Sequence, residues 1–81
     1  EYEVELKVFD PYSYTISESI WGENQEIIDN GDGSVTFRAK MFGKDSIAKW
    51  ILGMGSGVEV IGPEKIRSKV KEEMMQALQF Y

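Results

Sequence analysis

The stretch Trp50-Ile51-Leu52-Gly53-Met54-Gly55-Ser56-Gly57-Val58-Glu59-Val60-Ile61-Gly62-Pro63-Glu64-Lys65-Ile66-Arg67 decides the reading of this chain. It runs as a helix end, a glycine turn, a short apolar strand and a helix that starts at proline. Each junction carries a residue with a backbone reason to be there. Glycine ends helices because it accepts positive φ at no steric cost. Proline starts them because its missing N–H is not needed in the first turn. The glycines resemble a phosphate-cradling loop only on the surface. Such loops follow a strand and open a helix, where free amides and the helix dipole meet the anion. Here the glycines follow a helix and open a strand, so they read as a helix cap and a tight turn.

Working outward from that corner, the preceding helix carries Ile47, Trp50, Ile51 and Met54 at the spacing of one helical face, with Asp45 as its expected N-cap. Further upstream, Gln25 to Ile28 and Ser34 to Met41 read as strands. Asp29-Asn30-Gly31-Asp32-Gly33 between them holds two dipeptides that favour the positive φ of a tight hairpin. At the start, Tyr2, Val4, Leu6 and Val8 alternate with Glu3, Glu5 and Lys7, the period of a strand with one apolar and one charged face. Asp10-Pro11 then predicts a cap and first helical position. The stripe Tyr12, Ile16, Ile20 follows, ending near Trp21-Gly22. Downstream, Ile66, Val70, Met74, Ala77, Leu78 and Tyr81 predict one long terminal helix. The order is β-α-β-β-α-β-α. The reading is therefore an α+β domain over residues 1-81, with a ferredoxin-like β-α-β-β-α-β core, a four-stranded antiparallel sheet and an added long C-terminal helix.

Composition narrows the function. Eighty-one residues with 42% hydrophobic and 12% aromatic content suit one small domain. The absence of cysteine and histidine removes thiolate nucleophiles, disulfides, the commonest neutral-pH base and the commonest metal ligand. The adjacent Glu72 and Glu73 diverge on a helix, so no catalytic carboxylate pair is expected, nor a metal or cofactor. The hairpin fails as an EF-hand. With Gly33 at loop position 6, Ile28 and Ala39 fall at positions 1 and 12, where oxygen ligands are needed. A net charge of −5 argues against autonomous binding to a phosphate backbone. Residues 1 to 36 carry one basic and nine acidic groups, net −8, and residues 37 to 81 carry eight basic and five acidic, net +3. That polarity offers a means of orienting two subunits or docking a neighbouring domain, with a plain solvated surface as the simpler reading. No apolar run reaches the length of a membrane span, and the opening on a strand without Met or leader reads as a piece of a longer protein.

The candidate contact residues are Arg67, Lys71, Trp21, Tyr14 and Gly55. Arg67 and Lys71 share a helix face at i, i+4, and a guanidinium beside a buried residue suits a carboxylate, a phosphate or a partner backbone. A local pair with Glu64 or Glu59 is the simpler fate for Arg67. Trp21, with Tyr14, Tyr12 or Phe9, offers a surface on which a base can stack, with plain packing as the competing role. Gly55 supplies amides at the turn.

Val8-Phe9 before Asp10-Pro11, Asp32-Gly33-Ser34-Val35, Trp50-Ile51-Leu52-Gly53 with Gly55, and Val58-Glu59-Val60 before Pro63 and Ile66-Arg67 together resemble the C-terminal extension (WCX) domain of WYL-domain transcriptional regulators. The resemblance spans nearly the whole chain. Met54 and Ile66 stand where Phe and Leu are frequent, which are conservative changes for a core. It implies a bacterial, cytoplasmic regulator in which this domain packs on a WYL domain, often of the other subunit, and helps build a homodimer and its effector pocket. The effector implied is a nucleotide or single-stranded nucleic acid. DNA would be bound only through a helix-turn-helix outside these residues. The alternative is a stand-alone ferredoxin-like small-molecule sensor with its ligand at the glycine turn.

Overall fold

A computed structural model describes every residue from Glu1 to Tyr81. Strand β1 (Tyr2–Val8) leads through a short helix α1 (Tyr12–Thr15) and a 3-10 turn (Ile16–Glu18) to β2 (Glu23–Asp29). Strand β3 (Val35–Met41), helix α2 (Lys44–Leu52), a 3-10 turn (Gly55–Gly57), β4 (Val58–Gly62) and helix α3 (Glu64–Leu78) complete it. The four strands form one antiparallel sheet in the order β2-β3-β1-β4. The fold is thus α+β, as the sequence pattern predicts.

Alternation on β1 and β3 sets the two faces of the sheet. Val4, Leu6 and Val8 pair with Ala39, Phe37 and Val35 on the inner face. All of these except half-buried Val35 are buried in the core. Ile47, Ala48 and Ile51 of α2 and Ile66 and Val70 of α3 cover them, with Ile16 and Met54 filling in from the turns. The outer face is charged, and register places opposite signs side by side. Arg38 lies between Glu5 and Glu26, and Lys40 between Glu3 and Glu23. Arg38 Nε is 3.5 Å from Glu5. The acidic first half and basic second half of the sequence are therefore interleaved in the sheet rather than separated into two poles.

Three local expectations need correction. The first helix is far shorter than the Tyr12-Ile16-Ile20 stripe predicts: Ile16 is buried, but Ile20 is 86% exposed. Hydroxyls explain part of this, since Thr15 donates to the Tyr12 carbonyl and Ser17 to that of Tyr14, in competition with helical bonding. Pro11, not Asp10, is the residue before the helix. In α2 the residue before the helix is Gly43, at φ +85°, and Asp45 lies inside the first turn without capping it. The terminal helix forms, and of its stripe only Ile66 and Val70 are buried, while Met74, Leu78 and Tyr81 are exposed. It is α3, not α1, that packs beside α2.

The hairpin follows the sequence closely. Gly31 and Gly33 take φ of +80° and +89°. Asp29 accepts a hydrogen bond from the Gly31 amide, and Asp32 accepts from both the amide and the hydroxyl of Ser34. These bonds from Ser34 hold the Asp32 carboxyl below its ordinary value of 3.8. The loop into β2 is pinned as well. Gln25 accepts from the Trp21 amide and donates to the Ser19 carbonyl. A Cβ on Gly22 would stand 2.6 Å from the Lys40 carbonyl oxygen, so only glycine lets β2 approach β3 there.

Two outcomes test this account. Ile66→Ala should lower unfolding free energy by about 2–5 kcal/mol, whereas exposed Leu78→Ala should change it by less than about 0.5 kcal/mol, both read from urea denaturation. Because the folded state favours ionised Asp32, its contribution is present above the ordinary carboxylate pKa and is lost as pH falls through the lower folded value. Ser34→Ala should return Asp32 toward its ordinary pKa in an NMR titration, and should shrink the loss of stability in acid.

Candidate functional site

The corner from Leu52 to Arg67 bounds the best-formed cavity of the domain. The chain leaves α2 through Gly53, whose φ of −62° is still helical, and Gly55 takes the left-handed position at φ +57°. The positive φ thus falls two residues later than a glycine directly after the helix suggests. This turn feeds β4 back along β1, and Pro63 starts α3 over the same edge. Between them lies a cleft of about 230 Å³. Ile51, Leu52, Val58, Val60, Val70 and Met74 make its walls apolar, and Gly55, Glu59, Arg67 and Lys71 supply its polar rim.

Three of the five candidate residues, Arg67, Lys71 and Gly55, therefore meet in one place. Arg67 forms neither of the local pairs that its neighbours offer. Glu64 accepts a hydrogen bond from Ser68 instead, at 3.0 Å, and Glu59 forms no ion pair. The other cation of that face, Lys71, is likewise outside every ion pair. Lys69, on the opposite flank, is engaged: its ammonium is 3.0 Å from Glu73 and 3.7 Å from Asp45. The hydrogen bond to Glu73 raises its pKa above the ordinary 10.5. Arg67 and Lys71 thus present unpaired positive charge beside an apolar wall. Such a rim can hold a carboxylate or phosphate while the wall takes an apolar group.

The two aromatic candidates lie elsewhere. Trp21 sits at the opposite edge of the sheet, where its ring centroid is 5.3 Å from Trp50, and Trp50 is 5.4 Å from Phe37. Its indole N–H donates to the Ile16 carbonyl at 2.9 Å. That ladder orders the Ser19 to Gly22 loop against α2, and none of Phe9, Tyr12 or Tyr14 joins it as a stacking partner. Tyr14 is largely exposed and borders a separate hollow with Ser17 and the hairpin. Leu52 and Val60 were not singled out by sequence reasoning, although both line the cleft. Their signal was the alternation of β4 and the single residue by which Leu52 follows the buried Ile51.

No helix is long and apolar enough to cross a membrane. A comparison with curated proteins gave no match. The family model of the WCX domain, by contrast, matches residues 1–78, from the first strand to the end of α3. That span takes in the hairpin, the glycine corner and both helices that roof the sheet, and the chain belongs to the WCX domain family, which is associated with WYL-domain regulators.

Proposed function

We propose that this domain is a non-catalytic regulatory and dimerisation module of a bacterial DNA-binding transcription regulator. In this reading it works in the cytoplasm beside a WYL domain and helps form the effector-responsive unit. DNA contact belongs to other parts of the regulator. The observation that carries the reading is the second half of α3 and the turns that follow it. Met74, Leu78 and Tyr81 continue an apolar stripe past the edge of the domain's own core. Exposed apolar groups clustered on one surface mark an interaction site. The charged outer face of the sheet makes a poorer one. The strand order β2-β3-β1-β4, with β1 and β3 central, supports a ferredoxin-like assignment in which α3 takes the helical position beside α2 that α1 leaves open.

The cleft favours a second reading, that of a small-molecule sensor. Unpaired Arg67 and Lys71 beside Gly55 suit an anionic ligand such as a nucleotide or a short single-stranded nucleic acid, bound by this domain alone or shared with a WYL domain.

Sedimentation velocity of the chain over a range of concentrations tests the first reading. The weight-average mass should climb from 9.2 kDa toward twice that value as concentration rises. A folded chain that stays monomeric throughout would count against dimerisation. Thermal-shift measurements with nucleotides, short oligonucleotides and amino acids test the second. An anionic ligand should raise Tm, and Arg67→Ala should weaken its binding roughly tenfold or more through loss of a charge-assisted hydrogen bond. A shift left intact by Arg67→Ala would move the ligand away from this cleft.

A further inference from the structure

The lining of the cleft beside Arg67 and Lys71 is selective in what it lacks. Its apolar residues, Ile51, Leu52, Val58, Val60, Val70 and Met74, are aliphatic or thioether throughout. No aromatic ring lies among them to stack on a base, and no Ser, Thr, Asn or Gln side chain to read a base edge. Its polar side chains are Arg67, Lys71 and Glu59, all exposed. At about 230 Å³ the cleft falls below the roughly 300–1,000 Å³ of pockets that enclose drug-sized ligands. A small ligand with a hydrocarbon body matches both size and lining.

Charge sets the head group of that ligand. Arg67, Lys71 and Glu59 form no ion pairs. Two positive groups and one negative give the rim a net charge of +1. A single carboxylate balances that charge. A phosphate monoester, at about −1.5 to −2 near neutral pH, exceeds it and is repelled by Glu59. Arg67 and Lys71 lie one turn apart on α3, so a guanidinium fork and an ammonium can donate to the same carboxylate. The lining also leaves something for a tail to cover. Leu52, Val58 and Val60 are only half-buried by the domain's own packing, and Met74 is 49% exposed. Methionine is flexible enough to fit tails of different shape. At the turn, Gly55 leaves the approach clear, since even an added Cβ would meet no atom within 4 Å.

We propose that this cleft binds a small aliphatic monocarboxylate, its carboxylate held by Arg67 and Lys71 and its tail against Leu52, Val58, Val60 and Met74. The proposal rests on the sensor reading above and names its ligand class. Binding displaces water from the apolar lining, so affinity grows with tail length until the cleft is full.

Titrating the chain with butanoate, hexanoate and octanoate, followed through backbone amide chemical shifts, tests this. The shifts should cluster at Leu52, Gly55, Val58 to Val60 and Arg67 to Met74. Each methylene buried should tighten binding about fourfold, so hexanoate should bind about tenfold more tightly than butanoate. Hexanamide, with the same tail and no charge, should bind about tenfold or more weakly than hexanoate. Arg67→Gln should erase most of that preference with the far-UV circular dichroism unchanged, because the side chain is exposed; Lys71→Gln gives a second, independent check. Affinity indifferent to tail length, or equal for hexanoate and hexanamide, would overturn the proposal. Adenosine monophosphate shifting the same amides while hexanoate shifts none would keep the sensor reading and overturn the aliphatic ligand. If neither anion perturbs the cleft, the proposal falls together with the reading of this domain as a sensor on its own.

Discussion

The docking of Ile66 and Val70 into the core they share with β1, β3 and α2 is the contact on which the C-terminal third of the domain depends. The central strand has both edges hydrogen-bonded and one face lined by fully buried Val4, Leu6 and Val8. Such a face must be roofed by helices, and α2 alone does not span it. The segment that directly follows β1 contributes Ile16 and little else. Helix α3 completes the roof, and in doing so it is held over β4 at an angle that leaves the cleft beneath its free flank. Core, cleft and uncovered stripe are therefore consequences of one packing event. Removing the Ile66 side chain would disturb all three.

Much of this was legible in the residues. The period-two pattern of β1, the glycine positions in the hairpin and the Gly62-Pro63 boundary each encode a backbone constraint local enough to read without a structure. The family model of the WCX domain spans all of them. The length of α1 was less legible. Tyr12, Ile16 and Ile20 keep helical spacing, but spacing does not say whether a helix finds something to pack against. Serine and threonine hydroxyls, together with a loop pinned by Gln25 and Trp21, decided against it. The stripe of α3 was legible as apolar and not as divided. Burial falls away after Val70, a fact of tertiary geometry that no periodicity contains.

The candidate site divides in the same way. That Arg67 and Lys71 share a face follows from i, i+4 spacing, and Gly55 joins them because the turn from α2 returns to β4. Trp21 and Tyr14 gave no local sign that the sheet would carry them to its other side. Charge needed the fold most of all. The sequence divides into an acidic and a basic half, yet strand pairing sets Arg38 and Lys40 between glutamates, so the sheet offsets part of its own charge. What survives as unpaired positive charge at the cleft is the pair on α3, with Glu59 the unpaired anion on the same rim, after Lys69 is taken up by Asp45 and Glu73.

That last arrangement gives one helix two mechanical characters. Lys69 ties the middle of α3 to the first turn of α2, and Ile66 and Val70 bury the turns before and around it. Past Met74 the side chains are largely exposed, and the helix's own hydrogen bonds and turns carry the chain onward. Residues near the start can open only when the core opens, whereas those near Leu78 can fray with the rest of the domain intact. In a gradient of this kind a partner that covers the distal turns gains ordering as well as contact area. The same 15-residue helix then acts as an anchor at one end and as a reporter of occupancy at the other.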